Sequence, residues 1–326
     1  MMETFTVPGA ADGVQLSTLV IAPESPKAVF QLVHGMAEHK ERYIPFMTYL
    51  SEMGYACVIC DLRGHGETVT DPKDLGWMGR GGMKALVDDV HCVTDWAKAQ
   101  YPGLPLFLFG HSMGSMIVRS YLKRYDRDID GLVVCGSPSQ NPAAGLGDFL
   151  AGCIIVFRGP RYRSQFLANL CTGNNDKKFK ADGIKNAWLS TNRANVQAYN
   201  NDPLCGFVFT ANGYRNGLFR LMKDIYSPEG WNVTKPDLPV HFIAGSEDPC
   251  IVSLKKFSKA VSFLRSRGYR EVTSKVYPGM RHEILNEIGR ENVWSDVRAL
   301  LDGWLARGRP LPRTFSTGPN CCSAPT

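Results

Sequence analysis

Short apolar runs alternate with helix-period segments through the first 135 residues and again from residue 238, and few architectures accommodate that rhythm. The runs fall at 5–7, 15–22, 28–33, 55–60, 105–109 and 131–135. The later ones are almost wholly apolar, as strands buried on both faces tend to be. Between them, Met83, Leu86, Val87, Val90, Val93, Trp96 and Ala97 recur at three- and four-residue spacing and give a single apolar helix stripe. Strands alternating with helices predict an α/β fold, a mostly parallel sheet with helices on both faces.

The alternation stops at the Pro- and Gly-rich stretch GSPSQNPAAGLG and does not resume for about a hundred residues. An inserted cap is therefore expected over 138–237, dividing the core into 1–137 and 238–308. The second part reads as strand 238–244, helix 254–264, strand 272–277 and a last helix striped by Val293, Val297, Leu300, Leu301, Trp304 and Leu305. Residues 309–326 are Pro-rich and polar and are predicted to be a disordered tail. Within the cap, Phe149, Leu150, Cys153, Ile154 and Phe157 lie at helical spacing. That stripe fits a lid helix facing a channel or a membrane, and equally a helix packed onto the core.

A chain of 326 residues, 44% hydrophobic and 21% charged, can bury a sizeable core without a second independent one. Its net charge of +6 is local: residues 140–235 hold 12 Lys or Arg against 6 Asp or Glu, leaving 25 of each elsewhere. Such an excess is either a solvated face or an attraction to anionic lipid. No nucleic-acid partner is expected, and nothing in the sequence fixes an oligomeric state. The opening residues lack a basic segment followed by an apolar one, and no stretch reaches the roughly 18 apolar residues of a membrane span, so a cytoplasmic location is expected. The ten scattered cysteines read as reduced thiols. Cys57 and Cys60 form a C-x-x-C, but a strand sends them to opposite faces.

The strongest chemical signal is Gly110-His111-Ser112-Met113-Gly114, directly after the apolar run PLFLF and before the helical segment MIVRSYLKRY. A serine on a sharp strand-to-helix turn is a nucleophile elbow, and the flanking glycines allow close backbone approach. A serine hydroxyl needs a base, and the base needs an orienting partner. Asp248, after the strand-like PVHFIA, and His282, after EVTSKVY, supply them in the chain order Ser, Asp, His of α/β-hydrolases. Glu247 is the alternative acid, less suited than the shorter Asp248 held before a proline. His34, His39, His65, His91, His111 and His241 lie before the elbow, in it or within a strand, and are expected to be structural or pocket-lining. The backbone amides of Met113 and of Met36, in the loop His34-Gly35-Met36, are the expected oxyanion donors. No metal-ligand spacing is present, so neither metal nor cofactor is expected.

Taken together, HGMAEHKERY, DLRGHGET, GHSMGS, AGSEDPC and MRHEILNE resemble the monoacylglycerol lipase and lysophospholipase family of α/β-hydrolases, over residues 4–307. The resemblance implies a serine esterase that cleaves a monoacyl lipid through an acyl-enzyme, with a cap over an acyl channel and no cofactor. It assigns Ser112 as nucleophile, Asp248 as acid, His282 as base and Met36 and Met113 as oxyanion donors, and it puts Glu38, Arg42 and Tyr43 near the alcohol half of the substrate. Ser115 departs from the family's frequent second glycine, and the cap offers little to align. Arg158, Arg161 and Arg163 are candidates for lipid headgroups or for plain solvated surface. The competing readings are a short-chain or aryl carboxylesterase, an aminopeptidase of the same fold, and a binding protein that kept the fold and lost turnover.

Overall fold

The computed structural model describes residues 1–308, and the tail predicted over 309–326 lies outside the described residues. Eight strands form one sheet: β1 (Met2–Pro8), β2 (Gln15–Ile21), β3 (Ala28–Val33), β4 (Tyr55–Cys60), β5 (Leu106–His111), β6 (Gly131–Cys135), β7 (Val240–Gly245) and β8 (Val272–Tyr277). Their order is β1-β2-β4-β3-β5-β6-β7-β8. The two β1–β2 and β2–β4 pairings are antiparallel and the five others parallel. This is the α/β-hydrolase fold, with an antiparallel edge on an otherwise parallel sheet.

Two apolar layers sandwich the sheet. One packs α1 (Ile44–Glu52) and the last helix against Phe30, Phe107 and Phe109; the other packs α2 (Gly82–Gln100) and α3 (Met113–Tyr125) against Val29, Val58 and Leu108. The predicted stripe of α2 is the buried one, with Leu86, Val87, Val90, Val93 and Ala97 all fully buried. Cys57 and Cys60 do fall on opposite faces, one in each layer. β5 runs two residues beyond the predicted 105–109, because Gly110 and His111 pair with Val134 and Cys135 of β6.

Between β6 and β7 the chain adds no strand to the sheet. It forms α4 (Ala144–Arg158), α5 (Gln165–Thr172), α6 (Arg193–Asn201), α7 (Ala211–Tyr214) and α8 (Leu221–Ile225), with one π-helical turn, Arg215–Arg220, joining the last two. Ala151, Leu167, Phe209 and Phe219 from this segment join the α2–α3 layer, so the main core extends into it. The final elements are α9 (Leu254–Arg265) and α10 (Arg290–Gly308).

The predicted stripe of α4 meets two environments. Its buried residues are the small ones, Ala144, Gly147 and Ala151, while Leu146, Phe149, Val156 and Phe157 are exposed. Gly147 allows close approach: a Cβ there would stand 2.4 Å from the Phe219 ring. Of its large side chains, Ile154 and Ile155 are partly buried against the core. Gly147→Val is expected to destabilise by about 1–3 kcal/mol through overpacking, and Phe149→Ser by under about 0.5 kcal/mol. Denaturant midpoints at unchanged m-value measure both.

Candidate active site

Ser112 is the single residue between β5 and α3, and it carries the strain of the joint, with φ +52° and ψ −116°. The glycines around it are there for space: a Cβ on Gly114 would meet the Val33 carbonyl oxygen at 2.2 Å, and one on Gly110 the Gly114 carbonyl oxygen at 2.5 Å. A strained non-glycine residue persists only where its surroundings over-determine it. Here the Ser112 N–H donates to the Cys135 carbonyl at 3.0 Å, and the hydroxyl of buried Ser115 donates to the Ser112 carbonyl. Ser115, the departure from the family pattern, is thus a tie across the turn.

Asp248 and His282 stand beyond the ends of β7 and β8, as read from the sequence. His282 Nδ1 donates to Asp248 Oδ1 at 3.0 Å, and both residues are buried. Glu247 points away and pairs with Lys178, so the choice of Asp248 over its neighbour follows from geometry. With Nδ1 carrying the proton, Nε2 keeps its lone pair for the nucleophile. His282 and Ser112 line the same cavity. Among the described residues neither Ser112 Oγ nor His282 Nε2 makes a hydrogen bond, an arrangement common before substrate draws such groups together.

The amides of Met36 and Met113 likewise have no acceptor among the described residues, and both residues line the cavity. Two neutral histidines hold the loop that carries Met36. His34 Nδ1 donates to the Gly35 carbonyl at 2.8 Å while its Nε2 accepts the Leu62 N–H. His65 Nε2 accepts the Ala37 N–H at 3.2 Å, and burial pushes its imidazole down to about 3.

Of the three predicted alcohol-side residues, Glu38 lines the cavity, whereas Arg42 and Tyr43 are not on its wall. They stand behind it in a buried polar network. Glu38 accepts from the Gly35 N–H at 2.5 Å, Tyr43 Oη at 3.0 Å, Arg42 Nη1 at 2.7 Å and His111 Nδ1 at 3.2 Å. Arg42 forks onto Glu283 at 2.8 and 2.6 Å, and Asn195 of α6 donates to the same carboxylate. Burial works against the Glu38 charge, but the His111 hydrogen bond and Arg42 hold its carboxyl well below the usual range. His111 is raised: burial opposes its charge, and the Glu38 hydrogen bond and charge outweigh burial. Glu283 and Asn195 are the members that motif reading did not single out, whereas His111 lines the cavity as one of the histidines expected to be structural or pocket-lining. The available signal was a carboxylate next to His282 in a segment bound for the interior, which demands a buried partner.

The cavity encloses about 430 Å³, within the ordinary range for small-molecule sites. Met116, Leu170, Leu218, Phe219 and Met222 contribute apolar lining, and Ser112, His282, Glu38 and Glu283 line the cavity together with polar side chains such as Ser139, Asn141, Thr172 and Asn175. Three groups of ligand-type side chains lie close enough for a metal: His39, Asp202 and Cys205; Asp248, Cys250 and His282; Glu41, Asp61 and Glu67. Each already has internal partners. Lys40 places its ammonium among the third set. His39 bridges Glu41 and Asp202; burial opposes its charge, yet hydrogen bonds to Cys205, Glu41 and Asp202 push it up to about 11.

Residues 24–289 match the Hydrolase_4 family, described as serine aminopeptidase, S33. The chain is 28% identical over 286 residues to a monoacylglycerol lipase of Mycolicibacterium smegmatis, covering 87% of this chain and 92% of that one. It is 26% identical over 288 residues to the phospholipase YtpA of Bacillus subtilis, covering 86% and 98%. Among solved structures, a thermostable carboxyl esterase from Bacillus coagulans in complex with glycerol superposes with a TM-score of 0.86 at 26% identity, covering 93% of this chain and 99% of that one.

Asp248→Asn, which would favour the wrong imidazole tautomer, is expected to slow fluorophosphonate labelling of Ser112 by about 10³-fold or more. Glu247→Gln should leave that rate within about twofold, and comparable losses in both variants would reassign the acid.

Proposed function

The chain belongs to the Hydrolase_4 family of serine hydrolases, and we propose that within it the protein hydrolyses the ester bond of a monoacylglycerol or lysophospholipid. The observation that carries this reading is the mixed lining of the cavity, divided between apolar side chains such as Leu170, Leu218, Phe219 and Met222 and polar ones that include Ser112, His282 and Glu38. A single acyl chain on a small polar alcohol has that same division. The names of the Mycolicibacterium and Bacillus relatives, a monoacylglycerol lipase and a phospholipase, support the same class.

In this mechanism Ser112 Oγ attacks the acyl carbonyl while His282 Nε2 takes its proton, and the amides of Met36 and Met113 receive the oxyanion. The imidazolium, steadied by Asp248, then gives the proton to the departing alcohol oxygen. Water, deprotonated by the same nitrogen, releases the fatty acid and regenerates the serine. Residues 138–237 act as the cap that supplies the acyl wall.

The family description raises an aminopeptidase as the second reading, and two carboxylates do line the cavity. An α-ammonium needs an uncompensated negative charge, however, and Glu38 and Glu283 are balanced by Arg42 and His111. That balance favours a neutral alcohol over an ammonium. Lys256, which also lines the cavity, favours keeping phosphate-bearing lysolipids among the substrates.

The exposed face of α4, Leu146, Phe149, Val156 and Phe157, continued by Phe166 of α5, suits contact with the lipid surface that supplies such substrates. Of the three basic candidates, Arg161 pairs with Asp74 and Arg163 donates to carbonyls of the core, so attraction here is apolar more than electrostatic.

Hydrolysis of 1-monoacylglycerols and lysophosphatidylcholines from C2 to C18 is expected to peak at medium or long chains, with Ser112→Ala inactive. Confinement to the shortest acyl groups would make the protein a general esterase. Replacing Phe149 and Phe157 together by Ser should reduce sedimentation with vesicles while leaving hydrolysis of a soluble short-chain ester unchanged; undiminished vesicle binding would remove the apolar face from the reading.

A further inference from the structure

Two rings flank the His282 imidazole. His111 lies on one side, its centroid 4.7 Å away, and Trp188 of the cap lies 4.9 Å away with its plane tilted by 41°. Trp188 is half-buried and lines the cavity with His282. It belongs to no motif of the elbow, acid or base.

Its placement is tightly specified. Trp188 occupies a one-turn 3-10 helix, Ala187–Leu189, entered through Asn186 in the left-handed region at φ +62°. The N–H groups of Asn186 and Trp188 both donate to the Asp176 carboxylate, at 2.8 and 3.2 Å. The residues on either side of Trp188 are bonded to the residues on either side of His282. Arg281 Nη1 donates to the Ala187 carbonyl at 2.6 Å, and the Glu283 N–H donates to the Leu189 carbonyl at 2.7 Å. These paired bonds hold indole and imidazole in register.

We propose that Trp188 is a catalytic residue of this site, its indole face stabilising the positive charge that His282 acquires when it takes the Ser112 proton. The proposal rests on His282 being the base. An aromatic face attracts a cation whose position is within about 6 Å of the ring centroid, and attracts a neutral imidazole far less. The interaction therefore grows as the proton moves from Ser112 Oγ to His282 Nε2, which is the condition for lowering a barrier rather than merely binding substrate.

The charges facing His282 make such help useful. Asp248 is bonded to Nδ1 and favours the cation. His111, hydrogen-bonded to Glu38, donates through Nε2 to the His282 carbonyl and disfavours a second positive charge beside it. Glu38 and Glu283 are matched by Arg42 and His111. Arg281 is turned away onto Asp182 and the Phe179 ring. Lys256 also lines the cavity. On the cap side, Trp188 is the group that can favour the cation without a counter-charge of its own.

The test compares wild type, Trp188→Phe and Trp188→Leu for kcat and KM on a soluble short-chain ester across pH, with fluorophosphonate labelling of Ser112 in parallel. Removing the π face should lower kcat about two- to thirtyfold with KM nearly unchanged. The acid limb of the kcat/KM profile should move to lower pH, since a less stabilised imidazolium leaves the base neutral over a wider range. Phe, which keeps a weaker π face and most of the packing, should lie between wild type and Leu in both respects. A uniform loss with an unmoved acid limb, a change confined to KM, or a Phe variant equal to Leu would each overturn the proposal. If instead His282→Ala retains turnover, the underlying assignment of the base fails, whatever the Trp188 variants do.

Discussion

The Glu38 carboxylate is buried beside the active-site cavity and collects donors from three separate segments. Gly35 belongs to the loop bearing Met36, His111 to the elbow, and Arg42 and Tyr43 to the turn and helix that follow β3. Arg42 carries the network on to Glu283, beside the base, and His111 donates directly to the carbonyl of His282. The loop bearing Met36, the elbow and the loop bearing His282 are thus fixed to one another by charge-assisted hydrogen bonds in a low-dielectric interior. Burying four charged groups is costly, and an apolar replacement of equal volume is often no less stable. What such a replacement could not do is aim three separate loops at one point.

The other tight coupling runs from the base loop to the cap. Besides the bonds around Trp188, Glu287 accepts from the Thr191 N–H at 2.9 Å, the Asn192 side chain donates to the Asn286 carbonyl at 3.1 Å, and Asn195 reaches Glu283. The segment from Asp182 to Asn195 is therefore anchored to the chemistry. α4 is joined to the rest of the cap mainly through small residues against Phe219 and through Asp148, which gathers Arg215, Arg220 and Lys223. The segment between β6 and β7 has two unlike halves, one bonded to the loop of His282 and one that presents exposed apolar side chains.

That division explains what was legible beforehand. Ser112, Asp248 and His282 could be read because each follows a strand whose apolar run is unambiguous, and parallel strands deliver their ends to one edge. The four strands 28–33, 55–60, 131–135 and 272–277 have the expected limits, since turn residues bound them. β1 was undersized at 5–7 because an edge strand exposed on most of its length carries little hydrophobic pattern. Arg42 and Tyr43 were placed correctly beside Glu38 in sequence, yet they stand behind the wall rather than on it. Facing is a tertiary property, and a motif does not encode it.

The cap was opaque for a more general reason. A helix stripe tells which residues share a face, but not whether protein, lipid or water meets that face; in α4 the face of small residues is the one that packs. Trp188 was hidden in the same way, because its significance comes from bonds made to Arg281 and Glu283, almost a hundred positions away along the chain. Where a core is built from repeated strand-helix units, local pattern and global position coincide. In an insertion without that repeat they separate, and specificity is then written in contacts between the insertion and the loops at the C-terminal edge of the sheet. In this protein those contacts converge on the loop of His282, so the segment that lines the cavity between β6 and β7 also sets the environment of that imidazole.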